Sequence, residues 1–202
     1  KAHDVIFVIS AGNLLPGDMR AEWHSKPDQA LASLAADQLG FVAEPGESIQ
    51  NVSVSALNPP GLPGQVPFAL ARYSRRGPGL RGATKPEFAH VGGSGTATPT
   101  GNHGLVSVNE DGFLVSGCGT SYAAPLVARR LADLDALIEG DVSRETLLAL
   151  MVHFAHTPDV FGQKMIRPVT RDLIGFGVPI TAEKMLQRED SEITRVVSGT
   201  LQ

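Results

Sequence analysis

The apolar positions fall into two kinds of run. Short, unbroken, β-branched runs alternate with stretches in which apolar residues recur every three or four positions. Val5–Ile9 is of the first kind, and its composition predicts a strand buried on both faces within a parallel sheet. It ends at Ser10-Ala11-Gly12-Asn13. Residues 28–40, DQALASLAADQLG, are of the second kind. Asp28 is placed to cap a helix, Leu31, Leu34, Ala35 and Leu39 share a face, and Gly40 is placed to stop it. Ile49–Leu57 predicts a strand and Phe68–Tyr73 a short one, with the turn-rich loop NPPGLPGQVP between them. Glu87–Val91 is a short, partly apolar run. Leu105–Val108 and Phe113–Ser116 predict a hairpin across Asn109-Glu110-Asp111-Gly112.

After Ser121 the period becomes helical. Val127, Leu131, Leu134 and Ile138 form one stripe, and Gly140 follows it. Ser143 is placed to cap a second helix running to about His153, with Leu147, Leu148 and Met151 inward. IGFGVPITAEKMLQ predicts a glycine-rich corner and a short helix capped by Thr181, and the tail EITRVVSGTLQ reads as a strand. No internal repeat is present.

The alternation of strand-like and helix-like runs argues for an α/β domain, and composition narrows its class. The chain has 202 residues, 42% hydrophobic and 19% charged, enough to bury one core. A formal net charge of -4 argues against nucleic acid and anionic membrane surfaces as partners. No apolar run approaches the ~20 residues of a membrane span. Glycine (22) and proline (14) are frequent, which suits tight loops on an α/β frame. The single cysteine, Cys118, excludes an internal disulfide; with no visible export signal, the expected location leans cytoplasmic. No cofactor is indicated, and no residue points to structural calcium. His153 and His156 lack the further ligands a metal site needs, and Gly92–Gly104 lacks the G-K-S/T of a phosphate loop. Arg75 and Arg76 read as solvated loop charges.

The densest chemistry lies in GCGTSYAAPLVARR, Gly117–Arg130. Taken alone, Ser121 has two readings. It is an N-cap, as most serines at helix starts are, or it is a nucleophile. Gly117 and Gly119 let the backbone turn sharply and leave the hydroxyl uncovered. Ala123 and Ala124 keep the first turn thin, and Pro125 suits the first turn. The amides and dipole of a helix start favour the negative charge of an oxyanion. Cys118 is a rival nucleophile, or a small residue packed into the turn.

The motif G-T-S-Y-A-A-P-L-V-A resembles the active-site serine segment of the subtilisin-like serine proteases (subtilases). VIFVISAGN resembles that family's strand ending in A-G-N. KPEFAHVGG resembles its K-P-D-x-x-A-P-G loop, with Glu87 for Asp and Val91 for Pro, and ESIQNVSVSAL resembles the strand before that loop. ARYSRRGP and IGFGVPITAEKML resemble its later turn and closing segment. The matches run in family order from Val5 to about Leu186. The resemblance implies Ser121 as nucleophile, with the Asn13 side-chain amide and the Ser121 backbone amide as the oxyanion hole. It implies substrate contacts at Gly12, Ala43, Glu44, Gly119 and Thr120, with Glu44 either favouring a basic side chain before the scissile bond or standing free on a loop. The chain between Asn13 and Ala43 is longer than in compact members. That piece, which includes Trp23, either shapes substrate access or is a surface excursion.

A serine nucleophile needs a base and an orienting acid. In the family these come in the order Asp, His, Ser, and both precede the A-G-N strand. None of the six histidines occupies such a motif: His103 lacks the family's threonine, His90 sits in the K-P-E loop, and His3, His24, His153 and His156 match nothing. Asp4 and Asp111 fit the acid no better. The expected fold is therefore a parallel-sheet three-layer αβα sandwich of subtilisin type, incomplete. Residues 1–188 are expected to form the C-terminal part of the catalytic domain, with the Asp and His motifs upstream, and residues 189–202 a tail strand opening a further module. The expected partners are the upstream half and a protein or peptide substrate, and the fragment alone is expected to be inactive. The rival expectation is a non-catalytic pseudoprotease or protein-binding module on the same fold.

Overall fold

The computed structural model describes residues 5–23, 26–96 and 101–187. The predicted tail strand lies outside them, as do His3, Asp4 and His24.

Three strands form a parallel sheet in the order β1 (Val8–Ser10), β2 (Val52–Leu57), β3 (Phe88–Val91). Val8 pairs with Val52 and Ser10 with Val54; Val54 pairs with Phe88 and Leu57 with Val91. Every residue of β2 is buried, because helices cover both faces of the sheet. On one face Val52, Val54, Ala56 and Phe88 pack against α2 (Thr120–Leu137), α3 (Arg144–His153) and α5 (Ala182–Leu186). On the other, Leu57, Leu70 and Ala89 pack against α1 (Pro27–Ala36) and α4 (Thr170–Ile174). This is the expected α/β sandwich, three layers deep. Two serines on β2 survive burial because each is hydrogen-bonded: Ser55 Oγ donates to Leu173 O at 2.9 Å, and Ser53 Oγ to Glu87 Oε2 at 2.8 Å.

The predicted stripe on α2 is real, with Val127, Leu131 and Leu134 buried. Ser143 caps α3 by accepting from Thr146 N, and Thr181 caps α5 by accepting from Lys184 N. The hairpin forms from β4 (Leu105–Val108) and β5 (Leu114–Gly117), with Val108 opposite Leu114. Asn109 closes its turn, its Oδ1 accepting from Phe113 N at 2.8 Å. A second small antiparallel pair, β6 (Ala155–His156) with β7 (Val178–Pro179), has no sequence signal because each strand is two residues long.

Several expectations are corrected. The first strand is not buried on both faces: Val5 is 53% and Phe7 63% exposed just before β1, and all three residues of β1 are only partly buried. Helix α1 starts one residue before Asp28 with Pro27 in its first turn, and it ends at Ala36, leaving Leu39 75% exposed. Asp37 leaves the helix to pair with Arg20 Nε at 2.5 Å. Residues 68–73 form no strand. Phe68 takes φ +59°, which breaks the extension, and only an isolated bridge joins Leu70 to Leu57. Pro125 lies in the second turn of α2, not the first. Lacking an N–H, it leaves the Ser121 carbonyl without its helical partner.

Arg76 is no solvated charge. It is 2% exposed, donates through Nη1 to Asp37 O at 2.5 Å, and faces Asp172 Oδ2 at 3.4 Å. The K-P-E segment is likewise internal. Lys85 Nζ meets Glu87 Oε1 at 2.5 Å and donates to Asn51 O at 3.0 Å and Asn51 Oδ1 at 3.1 Å. Glu87 Oε2 accepts from Ser53 N at 2.7 Å. This network clamps the N-terminal ends of β2 and β3, opposite the ends that carry Asn13 and Ser121.

Breaking that clamp on one side strands a charge. Glu87→Gln is expected to lower the unfolding free energy by about 3–5 kcal/mol, read as a lower urea midpoint at unchanged m-value. The double change Lys85→Met with Glu87→Leu is expected to cost less. On β3, burial holds the His90 imidazole below its ordinary value, and its Nδ1 has no partner. The unfolded chain thus binds more protons than the folded one as pH falls through about 6.5, so stability declines there. His90→Leu is expected to flatten that decline in denaturation curves taken between about pH 7 and pH 5.

Candidate active site

Parallel sheets present their chemistry at the carboxyl ends of the strands. Here β1 runs out into Ala11-Gly12-Asn13, β3 into Gly92-Gly93, and the N-terminus of α2 is docked between them. The dock is a backbone contact: Gly119 N donates to Gly92 O at 2.9 Å. It needs glycine. A Cβ on Gly92 would stand 2.8 Å from Gly119 O, and one on Gly93 2.3 Å from the Cys118 Cβ.

Asn13 is locked to the helix start. Its Oδ1 accepts from Thr120 N at 3.0 Å and from Thr120 Oγ1 at 2.8 Å. Two donors on that oxygen fix which end of the amide is which and leave Nδ2 with its hydrogens uncommitted. Nδ2 and the serine hydroxyl border the same place. The place a Cβ on Gly119 would occupy is 3.2 Å from Asn13 Nδ2 and 3.1 Å from Ser121 Oγ, so both atoms face one small space that only glycine leaves open. The Ser121 amide sits in the first turn of α2, where no carbonyl lies four residues back to accept from it.

Ser121 does not cap this helix. The N-cap position belongs to Gly119, which makes no side-chain cap bond, and Ser121 follows Thr120 on the exposed side of the first turn. Among the described residues no side chain hydrogen-bonds to its hydroxyl. Cys118 is half-buried with its Cβ pressed on Gly93, as a packed turn residue.

The other predicted contact residues lie at the turn before Asn13, in the turn at 43–46 and at the start of α2. Gly12, at φ +97°, holds the turn before Asn13. Ala43 and Glu44 are exposed on a turn closed by Gly46 N donating to Ala43 O at 2.8 Å. A Cβ on Gly46 would stand 3.1 Å from Ser10 O, so that turn is packed on the end of β1. Thr120 is 1% exposed and spends both its donors on Asn13, so it positions the amide. Sequence reasoning missed Tyr73. Its hydroxyl is 2.7 Å from Gly92 O and 2.8 Å from Gly93 O, supporting the loop on which Gly119 docks. Burial pushes its phenol well above its ordinary value, which keeps it a neutral donor. An aromatic flanked by arginine and serine in an otherwise polar turn was the available signal.

No described histidine side chain hydrogen-bonds the Ser121 hydroxyl; His103 lies just before β4, its carbonyl accepting from Ser94 N at 2.8 Å. His90 lies within β3, His153 stacks edge-on against Phe154 at the end of α3, and His156 lies in β6. Asp111 is exposed in the hairpin turn. Among the described residues no three His, Cys, Asp or Glu are arranged to hold a metal ion, and no helix is long and apolar enough to cross a membrane. The segment after Asn13 turns back along residues 72–74, with Leu14 N donating to Tyr73 O at 2.7 Å. Together with α1 it encloses a cavity of about 480 Å³ lined by Arg20, Trp23, Leu34, Leu70 and Arg72, apart from the serine.

Thr120→Val removes one of the two donors holding Asn13. It is expected to cost about 0.5–1.5 kcal/mol of stability and to broaden or shift the Asn13 side-chain amide resonances in a nitrogen–proton NMR spectrum.

Comparison with known proteins places the chain in a family. Residues 1–179 match the family model for subtilases, peptidase family S8. An uncharacterized protein of Sinorhizobium fredii, y4bN, is 28% identical over 138 residues, covering 60% of this chain and 32% of that protein. Among solved structures, a lanthipeptide protease superposes with TM-score 0.58 at 18% identity, covering 91% of this chain and 50% of its own. A protease of Pseudoalteromonas arctica gives 0.57 at 18%, covering 90% and 42%. The epidermin leader peptide processing serine protease of Staphylococcus aureus gives 0.54 at 17%, covering 91% and 41%. These likenesses establish the fold, and the chain spans half or less of the length of each of these relatives.

Proposed function

Since the chain belongs to the subtilase family, we propose that it carries the nucleophile and the oxyanion hole of a serine endopeptidase whose base and acid come from a preceding half of the same domain. The observation that carries this reading is the shared space beside Gly119: Ser121 Oγ and the free Nδ2 of Asn13 face it together. A peptide carbonyl carbon bonded to Oγ there would put its oxygen between Asn13 Nδ2 and Ser121 N.

The steps follow. A base takes the Ser121 hydroxyl proton as Oγ bonds the carbonyl carbon, and the carbonyl π electrons move onto oxygen. The two donors hold that charge, each worth about 3 kcal/mol in the transition state. The C–N bond then breaks, the base returns the proton to the leaving amine, and the acyl group stays on Ser121 until water releases it by the same path. No described side chain hydrogen-bonds the Ser121 hydroxyl, and among the described residues β1 presents an open edge and the exposed Phe7 to a further element. On this reading residues 1–179 complete their site only against that element, and the chain alone turns nothing over.

The experiment is fluorophosphonate labelling. The full-length protein is expected to label at Ser121, Ser121→Ala to abolish it, and Asn13→Ala to slow it by about 10²-fold or more; the 202-residue chain alone is expected not to label. An unlabelled full-length protein would identify a binding module on a protease fold. Labelling of the short chain would mean that a base lies within it.

A further inference from the structure

Two adjacent arginines part company beside the site. Residues 74–76 lie between two neighbouring segments: Arg75 N donates to Gly12 O at 3.0 Å on one side, and Val42 N to Arg76 O at 2.7 Å on the other. Arg76 turns inward to Asp172 and the Asp37 carbonyl. Arg75 turns the other way. Its stem crosses Gly12, with Cδ 2.9 Å and Nε 3.4 Å from where a Cβ would stand, and its Nη1 donates to Phe41 O at 2.8 Å. The guanidinium thus bridges the residue before the oxyanion donor and the start of the segment that leads to Ala43 and Glu44.

Its charge is unmatched. Arg20, Arg72 and Arg76 each face a carboxylate, from Asp37, Glu22 and Asp172. Arg75 has no ion pair among the described residues, and its hydrogen bond to Phe41 O uses one of five N–H donors. It is half-buried, so its field is less screened than that of the exposed Glu44 on the facing turn. A guanidinium with free donors in a partly dry place suits a carboxylate, which it can grip with two parallel bonds.

We propose that Arg75 selects the substrate residue whose carbonyl is attacked, favouring aspartate or glutamate there over lysine or arginine. This rests on the nucleophile reading. With the carbonyl oxygen held at Asn13 Nδ2, the chain on the acyl side runs past Gly12, and its side chain meets the guanidinium that spans Gly12 and Phe41. Such a preference is the reverse of what Glu44 alone would give.

The test uses the full-length protein and peptidyl diphenyl phosphonates that differ only in the side chain next to phosphorus: glutamate-like, leucine-like or lysine-like. The glutamate-like probe is expected to modify Ser121 at least about tenfold faster than the lysine-like one. Arg75→Gln is expected to bring that ratio to near one or below, Arg75→Lys to retain part of it, and Glu44→Gln to leave its direction unchanged. Equal rates for the charged probes, a faster lysine-like probe, or an Arg75→Gln variant that slows every probe while keeping the ratio would overturn the assignment. A simple fluorophosphonate separates the two ideas. If it labels Ser121 and the ratio is absent, only the role of Arg75 falls; if it does not label, the nucleophile reading falls and Arg75 with it.

Discussion

The side-chain amide of Asn13 joins two parts of the chain that are 107 positions apart. Its oxygen takes both donors of Thr120, so the end of the first strand and the first residue of α2 become one rigid corner. Nearly everything at the site follows from that bond. It orients Nδ2, sets Thr120 inward, and carries Ser121, one residue on, to the exposed side of the helix start. The glycines serve the same end. Gly92, Gly93 and Gly119 remove the side chains that would hold strand and helix apart, and the space left at Gly119 is where Oγ and Nδ2 meet. A rotamer that would otherwise wander is fixed on one side by hydrogen bonds and on the other by backbone.

What could be read from the sequence was local. Ser143 and Thr181 cap their helices through bonds that span three residues, and Asn109 closes its hairpin through one that spans four. Ser121 and Asn13 were legible because their motifs are contiguous. The misreadings share a different cause. Arg76 reads as a loop charge until Asp172, 96 positions away, comes alongside. Lys85 and Glu87 read as a loop until Asn51 and Ser53 bury them. Residues 68–73 have strand composition, but the turn at Phe68 and the crowding of Leu70 against Leu57 decide otherwise. In each case the deciding contact joins distant parts of the chain, so no window of residues contains it.

The two ends of the sheet are built on opposite principles. At the N-terminal ends of β2 and β3, Lys85, Glu87, Asn51 and Ser53 are tied to one another by an ion pair and hydrogen bonds, which makes that end rigid and chemically silent. At the carboxyl ends polar groups are left deliberately short of partners: Asn13 Nδ2, the Ser121 amide, the Ser121 hydroxyl and most of the Arg75 guanidinium. Groups of this kind cost stability when buried, and here they stand half-exposed, so the cost is small until a substrate covers them. Covering them removes water from four donors at once, which is where binding strength and charge stabilisation would come from together.

On the proposed reading, that asymmetry also explains how the chain can be folded while the base and acid of its site come from elsewhere. Both cores are closed by helices, and the serine corner is held by contacts internal to the chain, so the nucleophile does not need a partner to be positioned. It needs one to be activated. An alkyl hydroxyl is a very weak acid, so a serine keeps its proton at neutral pH and is a poor nucleophile until a base takes that proton. On that reading the missing ingredient is a proton acceptor and not a rearrangement. On the same reading, the edge of β1 that is open among the described residues, with the exposed Phe7 beside it, is the side from which an added strand would bring one without disturbing the corner that Asn13 and Thr120 have already made.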